Sequence, residues 1–349
     1  MSGGVDSSVA CLLELQAGRT VIGVTMRLWT DPACDEAAGA SCCSPQAIRD
    51  ARAVCHSLGL PHLTIDFVAP FERLVVDEFV REYLAGRTPN PCTGCNGDFR
   101  FPALLALADR LSASRVATGH YARIVQGDSG TRLARGSDRA KDQSYMLWGI
   151  APSLLARLDF PLGDLTKAQV RRRAREASLP THARPESQEV CFIPDDDYRR
   201  FLRARAPRLP AAGEIVDLEG NRLGRHTGYV DYTIGQRRGL GVSAPAPLYV
   251  VATQPAQNLV VAGGKEDLAV RRLQLEKMNE FAAAPTADGL TVQVRYNSLP
   301  VPARVTARER DRWTVELDEP VYGIAPGQSA VIFAGDAVVA GGVIAATAS

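Results

Sequence analysis

The chain opens Met1-Ser2-Gly3-Gly4-Val5-Asp6-Ser7-Ser8, and Val9, Leu12 and Leu13 then recur at helical spacing until Gly18 stops the run. A glycine-rich turn feeding a helix N-terminus lets backbone N–H groups approach an anion closely, and the helix dipole adds partial positive charge. Ser2, Ser7 and Ser8 offer hydroxyl donors beside it. The stretch predicts a phosphate site. The pattern GxxxxGK[ST] is absent, so the loop is not built to hold a γ-phosphate on a lysine.

Outward from the loop, the first half alternates short apolar strands with helices, the pattern of a mostly parallel sheet flanked by helices in an α/β domain. VIGVTM (Val21–Met26) and HLTIDF (His62–Phe67) read as strands. Ser44 as N-cap, Pro45 at the first helical position and Gly59 just past the end predict a helix over Ser44–Leu58. A second helix is expected from Phe71 to Ala85, closed by Gly86. The Pro-rich loop TPNPCTGCN follows, then an apolar helix around Ala103–Leu111, a strand at Arg115–Thr118 and an Arg-rich helix over Thr166–Ala177. After about Pro194 the helical spacing fades into Gly-punctuated alternation. From about Asp267, the segments LTVQVRY, ARVTARE, WTVELDE, SAVIFAG and AVVAGGV predict a small closed or sandwich-like β domain.

The 349 residues are enough for two or three domains, and 46% hydrophobic with 23% charged side chains excludes wholesale disorder and fibrous repeats. A net charge of +1 excludes polyelectrolyte attraction by the whole molecule, so any nucleic-acid site must be a local patch. No apolar run reaches the roughly 18–20 residues of a membrane span, and no signal peptide is evident. The expectation is a cytoplasmic protein without a membrane partner. There its eight cysteines would stay mostly reduced, which favours catalysis or metal binding over a disulfide framework.

The loop resembles the SGGxDS pyrophosphate loop of the N-type ATP pyrophosphatases. That resemblance implies that a carbonyl oxygen attacks the α-phosphate of ATP, giving an adenylate and pyrophosphate, with Asp6 helping to hold Mg²⁺. Six further segments choose among the families sharing that loop: TPNPCTGCN (Thr88–Asn96), ATGHYAR (Ala117–Arg123), KDQSYML (Lys141–Leu147), SQEVCFIP (Ser187–Pro194), IGQRRGLG (Ile234–Gly241) and PGQSAV (Pro326–Val331). In order, they resemble the signature stretches of the tRNA-specific 2-thiouridylases over nearly the whole chain. The resemblance implies an ATP-pyrophosphatase catalytic domain over 1–194, a small central linking domain over 195–266 and a C-terminal β-barrel over 267–349. Pyrophosphate loops of this family ordinarily follow a central strand, whereas here the loop begins at Met1; a start farther upstream and a missing strand are both open readings.

Placing sulfur at C2 of a pyrimidine needs an activated oxygen leaving group and a sulfur donor. A free thiol is only about 3% thiolate at pH 7, so a donor site should carry nearby positive charge or a helix N-terminus. Cys95 precedes an expected helix and has Arg100 close in sequence; Cys191 follows Arg184 and precedes a basic stretch. The resemblance implies that Cys191 carries the persulfide and Cys95 resolves it, leaving a transient Cys95–Cys191 disulfide, with Cys191 on a mobile loop. Some family members carry Asp where this chain has Cys92. Cys92, Cys95 and Cys191 therefore also suit an iron–sulfur cluster with one open iron. Both routes stay open, the persulfide relay preferred, and a CxxC alone also suits structural zinc. Cys11 and Cys55 read as helix packing. Cys34 and the vicinal Cys42-Cys43 read as an exposed loop or a metal or redox pair.

By resemblance, Met1, Ser2, Gly3, Gly4, Val5, Asp6, Ser7, Met26 and Gly119 border ATP. Asn90, Pro91 and Cys92 line the target base. His120, Lys141, Asp142, Gln143, Arg295, Tyr296 and Gln328 touch the tRNA. The partners implied are tRNA and a sulfur-donor protein, either a cysteine desulfurase or a relay carrier. Judged without the family, His120 reads equally well as a satisfied strand-end histidine. Four basic residues are lysine and 36 are arginine, with clusters at Arg171, Arg172, Arg173 and Arg175 and at Arg199, Arg200, Arg203, Arg205 and Arg208 on expected helices. Such runs are usually solvated faces, and the family resemblance turns the reading toward RNA phosphates. Two rivals stand: another pyrophosphatase-loop ligase acting on a small carbonyl compound, and a tRNA-binding module with a structural metal.

Overall fold

The computed structural model describes residues 1–29, 31, 44–127, 130–185, 190–281 and 289–349. Cys34, Cys42, Cys43 and the Ser187-Gln188-Glu189 part of SQEVCFIP lie outside the described residues. Cα packing divides the chain into two units. The first comprises Met1–Val76, Pro91–Asp197 and Asp336–Val338; the second comprises Asp77–Asn90, Tyr198–Gly335 and Val339–Ser349.

The first unit begins with α1 (Val5–Gln16), whose N-cap Gly4 is extended. β1 (Gly23–Arg27), α2 (Pro45–Ser57) and β2 (His62–Asp66) then form a strand–helix–strand crossover, and the two strands pair parallel from Gly23↔His62 to Arg27↔Asp66. As expected, Ser44 caps α2 by accepting from the Ala47 N–H. The ladder starts at Gly23, not Val21, because the next position outward on β2 is Pro61, which has no N–H to donate. α3 (Val68–Phe71) opens the helix expected from Phe71, and a π-helical turn over Glu72–Val76 interrupts it before α4 (Asp77–Leu84) of the second unit. α5 (Pro91–Gly94) is a single turn followed by a second π-helical stretch, Cys95–Arg100, and then α6 (Phe101–Arg110).

After β3 (Val116–Ala117) comes the hairpin β4 (Ala122–Gly127) and β5 (Gly130–Arg135), then the short α7 (Ser144–Leu147), all of which sequence reading missed. The glycines bracketing Asp128-Ser129 were the available hairpin signal. β6 (Leu158–Asp159) pairs parallel with β3, and α8 (Lys167–Glu176) starts with a full capping box between Thr166 and Gln169. Val5 and Val9 of α1, Val54 of α2, Val170 and Ala174 of α8, and Tyr121 form one buried cluster. Burying each valine contributes roughly 1.5–3 kcal/mol, which holds the first turns of α1 and α8 side by side.

In the second unit α4 meets α9 (Tyr198–Arg205): Phe79 packs edge-on against Phe201 at 5.9 Å, and Tyr83 stacks on Tyr198 at 4.8 Å. β7 (Gly213–Val216), β8 (Arg222–His226), β9 (Tyr249–Gln254) and β10 (Leu259–Gly263) make a sheet of order β8-β7-β10-β9 with β7 and β10 parallel. Next come β11 (Ala269–Glu280), β12 (Leu290–Gln293), β13 (Val301–Glu309), β14 (Arg312–Tyr322), β15 (Ser329–Ala334) and β16 (Ala337–Ala348). They run β11-β14-β13-β12-β15-β16, and β16 returns to pair with β11, so the expected barrel is closed. Its interior is filled by alternate residues such as Leu273, Val292, Val315, Ile332 and Ile344, each fully buried.

Candidate active site

The opening loop is tied to itself by short hydrogen bonds. Ser2 N donates to Ser7 Oγ at 3.1 Å, Ser7 Oγ donates to the Gly4 carbonyl at 3.1 Å, and Ser8 Oγ donates to the same carbonyl at 2.8 Å. Gly3 has φ +71°, and a Cβ there would sit 2.3 Å from the Ala47 carbonyl oxygen, so no other residue fits this turn. Gly119 closes the other side: a Cβ on it would lie 2.7 Å from the Asp6 carbonyl carbon and 2.8 Å from Ser7 N. This bare cradle at the head of a twelve-residue helix suits the phosphates of a nucleotide. Met26 is buried on β1, and the Met1 amino group donates to the Val24 carbonyl.

Asp6, in the first turn of α1, is held from two distant points. Tyr121 Oη donates to its Oδ1 at 2.8 Å, and Lys167 Nζ donates to both Oδ1 and Oδ2 at 2.8 Å. Arg184 donates to the Gly3 carbonyl at 2.9 Å and pairs with Asp50. Sequence reasoning named Tyr121 only inside a motif, placed Arg184 only beside Cys191 and missed Lys167; the loop partners of Lys167 and Arg184 lie 161 and 181 residues away. The available signal was a lysine heading a helix that otherwise carries only arginines as bases. The Asp6 carboxylate suits Mg²⁺, since it is partly exposed and sits where phosphate oxygens would arrive.

Cys92 is half-buried on α5, whereas Cys95 is buried at 5% exposure, with an Arg100 guanidinium N–H 3.8 Å from its sulfur. Cys191 is partly buried. Phe99, on the π-helical stretch after Cys95, packs edge-on against Phe71 at 5.6 Å; Phe192, next to Cys191, packs edge-on against the same ring at 5.9 Å. One buried phenylalanine thus links the two cysteine-bearing segments. Among the described residues no three His, Cys, Asp or Glu side chains gather to hold a metal ion. Cys11 and Cys55 are buried within α1 and α2, the packing role expected of them.

His120 lies between Phe101 and Phe160, each ring 5.8 Å away, and its Nδ1 is 2.8 Å from Thr118 Oγ1. Burial, with Arg100 nearby, pushes its pKa down to about 3, so it is a neutral imidazole. Lys141 is half-buried. The Asp142 carboxylate is buried and accepts from Arg135 at 3.0 Å, Gly136 N at 2.9 Å, and Ser144 N and Oγ at 3.1 and 2.9 Å. Gln143 Oε1 accepts from Tyr121 N at 3.0 Å. Asp142 and Gln143 thus shape the turn that presents Lys141 and brace the tyrosine that holds Asp6.

In the second unit Gln328 Nε2 donates to the Thr88 carbonyl at 2.8 Å, fixing the segment that leads to Asn90. Pro91 is the first residue of α5 in the other unit. Arg295 donates to the Tyr322 carbonyl at 2.9 Å, and the Tyr296 carbonyl accepts from Gln293 at 2.7 Å. Arg295 and Gln328 share a cavity of about 460 Å³ with Lys265, Tyr249 and Tyr322, and none of its lining residues is acidic. The cluster on α9 differs from expectation. Although no acid interrupts it in sequence, Arg203 pairs with Asp231 at 2.9 Å and Arg205 with Asp77 at 3.3 Å, while Arg199 donates to the Asp231 carbonyl at 2.9 Å.

Family models described as the tRNA methyl transferase HUP domain, the tRNA methyl transferase PRC-barrel domain and the aminomethyltransferase beta-barrel domain match residues 1–195, 199–264 and 270–344. The chain is 49% identical to a bifunctional protein NifU/MnmA of Rubrobacter xylanophilus, covering 99% of this chain and 69% of that protein. It is 47% identical to the tRNA-specific 2-thiouridylase MnmA of Chloroflexus aurantiacus and 43% identical to that of Acidithiobacillus ferrooxidans, each over 99% of this chain and 97% of the relative. No helix among the described residues is long and apolar enough to cross a membrane. With the phosphate loop, the paired cysteine segments and the barrel all in place, these matches show that the chain belongs to the tRNA-specific 2-thiouridylase family.

Proposed function

We propose that this protein is an ATP-dependent tRNA-uridine 2-sulfurtransferase that makes 2-thiouridine at the wobble position, in the cytoplasm. Its three domains would be the nucleotide domain over 1–194, the linking domain over 195–266 and the barrel over 267–349. The observation that carries the reading is that the phosphate cradle and both cysteine-bearing segments belong to one compact unit, with the cysteine segments meeting on Phe71. ATP supplies an adenylate leaving group for the uracil O2. The cradle of Ser2, Gly3, Gly4, Val5 and Ser7 orients the phosphates, and Asp6 would hold a Mg²⁺ that offsets their charge. Met26 and Gly119 border the nucleotide.

Asn90, Pro91 and Cys92 line an unstacked uridine, because a base inside a stack cannot reach the nucleotide. His120 stays neutral beside it, and Lys141, Arg295, Tyr296 and Gln328 hold the RNA. The terminal sulfur of a Cys191 persulfide attacks C2. The Cys95 thiolate then attacks the Cys191 sulfur. The persulfide S–S bond breaks, its electron pair stays with the sulfur now on C2, and AMP departs. A Cys95–Cys191 disulfide remains, which a dithiol reductant reopens. A cysteine desulfurase or relay carrier recharges Cys191. The discriminating experiment is ATP–pyrophosphate exchange with and without tRNA. Exchange that requires tRNA is expected, whereas exchange supported by a small carbonyl compound alone would point to a different ligase.

A further inference from the structure

Lys167 is not among the residues that the phosphate-loop motif names, yet it makes two of the contacts that hold the motif's aspartate. Its Nζ lies 2.8 Å from each Asp6 oxygen and 5.6 Å from the centre of the Tyr121 ring. Its backbone is fixed independently: Lys167 N donates to Asp138 Oδ2 at 2.8 Å, Thr166 and Gln169 cap the turn, and Val170 and Ala174 pack on α1. The ammonium therefore sits on a flexible stem above an anchored Cα, at the rim of the cradle.

The electrostatics give this arrangement a direction. A carboxylate at the mouth of a phosphate cradle repels an incoming polyanion unless a cation offsets it. Lys167 does so, with its side chain at 12% exposure and that of Asp6 at 33%. A divalent cation bound with the phosphates would be a stronger partner for the carboxylate, and the ammonium, on its flexible stem, would then reach the phosphate oxygens. We propose that Lys167 is a positioning residue that exchanges Asp6 for the nucleotide's phosphates, so that one lysine both offsets the loop's carboxylate and grips the polyphosphate. This rests on the reading of the loop as an ATP site.

The test is equilibrium binding to the full-length protein of two probes, α,β-methylene-ATP with Mg²⁺, which cannot release pyrophosphate, and adenosine. Lys167→Met should weaken the analogue by about 10–100-fold, the factor a charge-assisted hydrogen bond carries, and leave adenosine within about twofold. A structural role would weaken both alike. The double variant Asp6→Asn with Lys167→Met separates exchange from simple neutralisation. If Lys167 only offsets Asp6, removing both charges restores the analogue's affinity to that of Asp6→Asn alone; if it grips phosphate, the loss persists. Lys167→Arg should recover part of the affinity. Equal analogue binding by wild type and Lys167→Met, or full restoration in the double variant, overturns the exchange. A wild-type protein that binds neither probe overturns the ATP reading with it.

Discussion

The phosphate loop and the thiol region occupy the same unit but are built on opposite principles. The loop is largely local: within eight residues its serines and glycines bond to one another, and distant residues then hold it at Gly3, Asp6 and Ser8. The thiol region is assembled at long range: the π-helical stretch that follows the one-turn helix and the turn segment beside Cys191 meet on the Phe71 ring. A π-helical stretch departs from α-helical hydrogen bonding and is often found at functional sites, whereas the cradle is an ordinary tight turn at a helix N-terminus.

Phe71→Ala should break that contrast most severely. The side chain is fully buried and touches both segments, so truncation is expected to lower stability by about 3–5 kcal/mol. At a temperature where the variant stays folded, thiolation should fall far more than nucleotide affinity. An equal loss of both would mean that the two regions are a single structural element. Gly3→Ala is the reciprocal test. Strain at φ +71° and the clash with Ala47 should cost about 1–3 kcal/mol in thermal unfolding and reduce nucleotide binding at least tenfold. Gly94→Ala on α5, where a Cβ meets nothing within 4 Å, should be neutral or stabilise by up to about 1 kcal/mol.

His120 provides a pH-dependent form of the comparison. Its folded pKa of about 3 lies below the ordinary 6.5, so between those values the unfolded chain binds a proton that the folded state excludes. Its contribution to stability is complete above about pH 6.5 and is lost as pH falls toward 3. Urea denaturation at several pH values should show a gentler acid loss for His120→Gln, and an unchanged acid limb would contradict the neutral imidazole. The smallest effect concerns RNA. Lys265→Ala should lower the salt slope of log K for tRNA by about one, while Arg203→Ala, whose guanidinium is already paired with Asp231, should change it less. The reverse order would return α9 to the RNA surface.

What could be read from the residues follows the same division. The loop, the α2 cap and the alternating strands of the barrel are legible because each depends on neighbours a few positions away. The β4–β5 hairpin and α7 were missed because their signals are short, and the π-helical turns because nothing in side-chain spacing marks them. The sequence motifs included Asp142 and Gln143 but did not reveal that their side chains brace the backbone. Lys167, Arg184 and the neutralised arginines of α9 depend on acids or carbonyls brought together only by folding, which no local pattern encodes.

The central claim, that Cys95 and Cys191 act as one relay beside the phosphate loop, is tested most directly by a single turnover of persulfide-charged protein with ATP and tRNA, followed by peptide mapping without reduction. One Cys95–Cys191 disulfide should form per 2-thiouridine made, and Cys191→Ala should make none. Stoichiometric thiolation by Cys191→Ala, or thiolated tRNA with both cysteines still reduced, would contradict it.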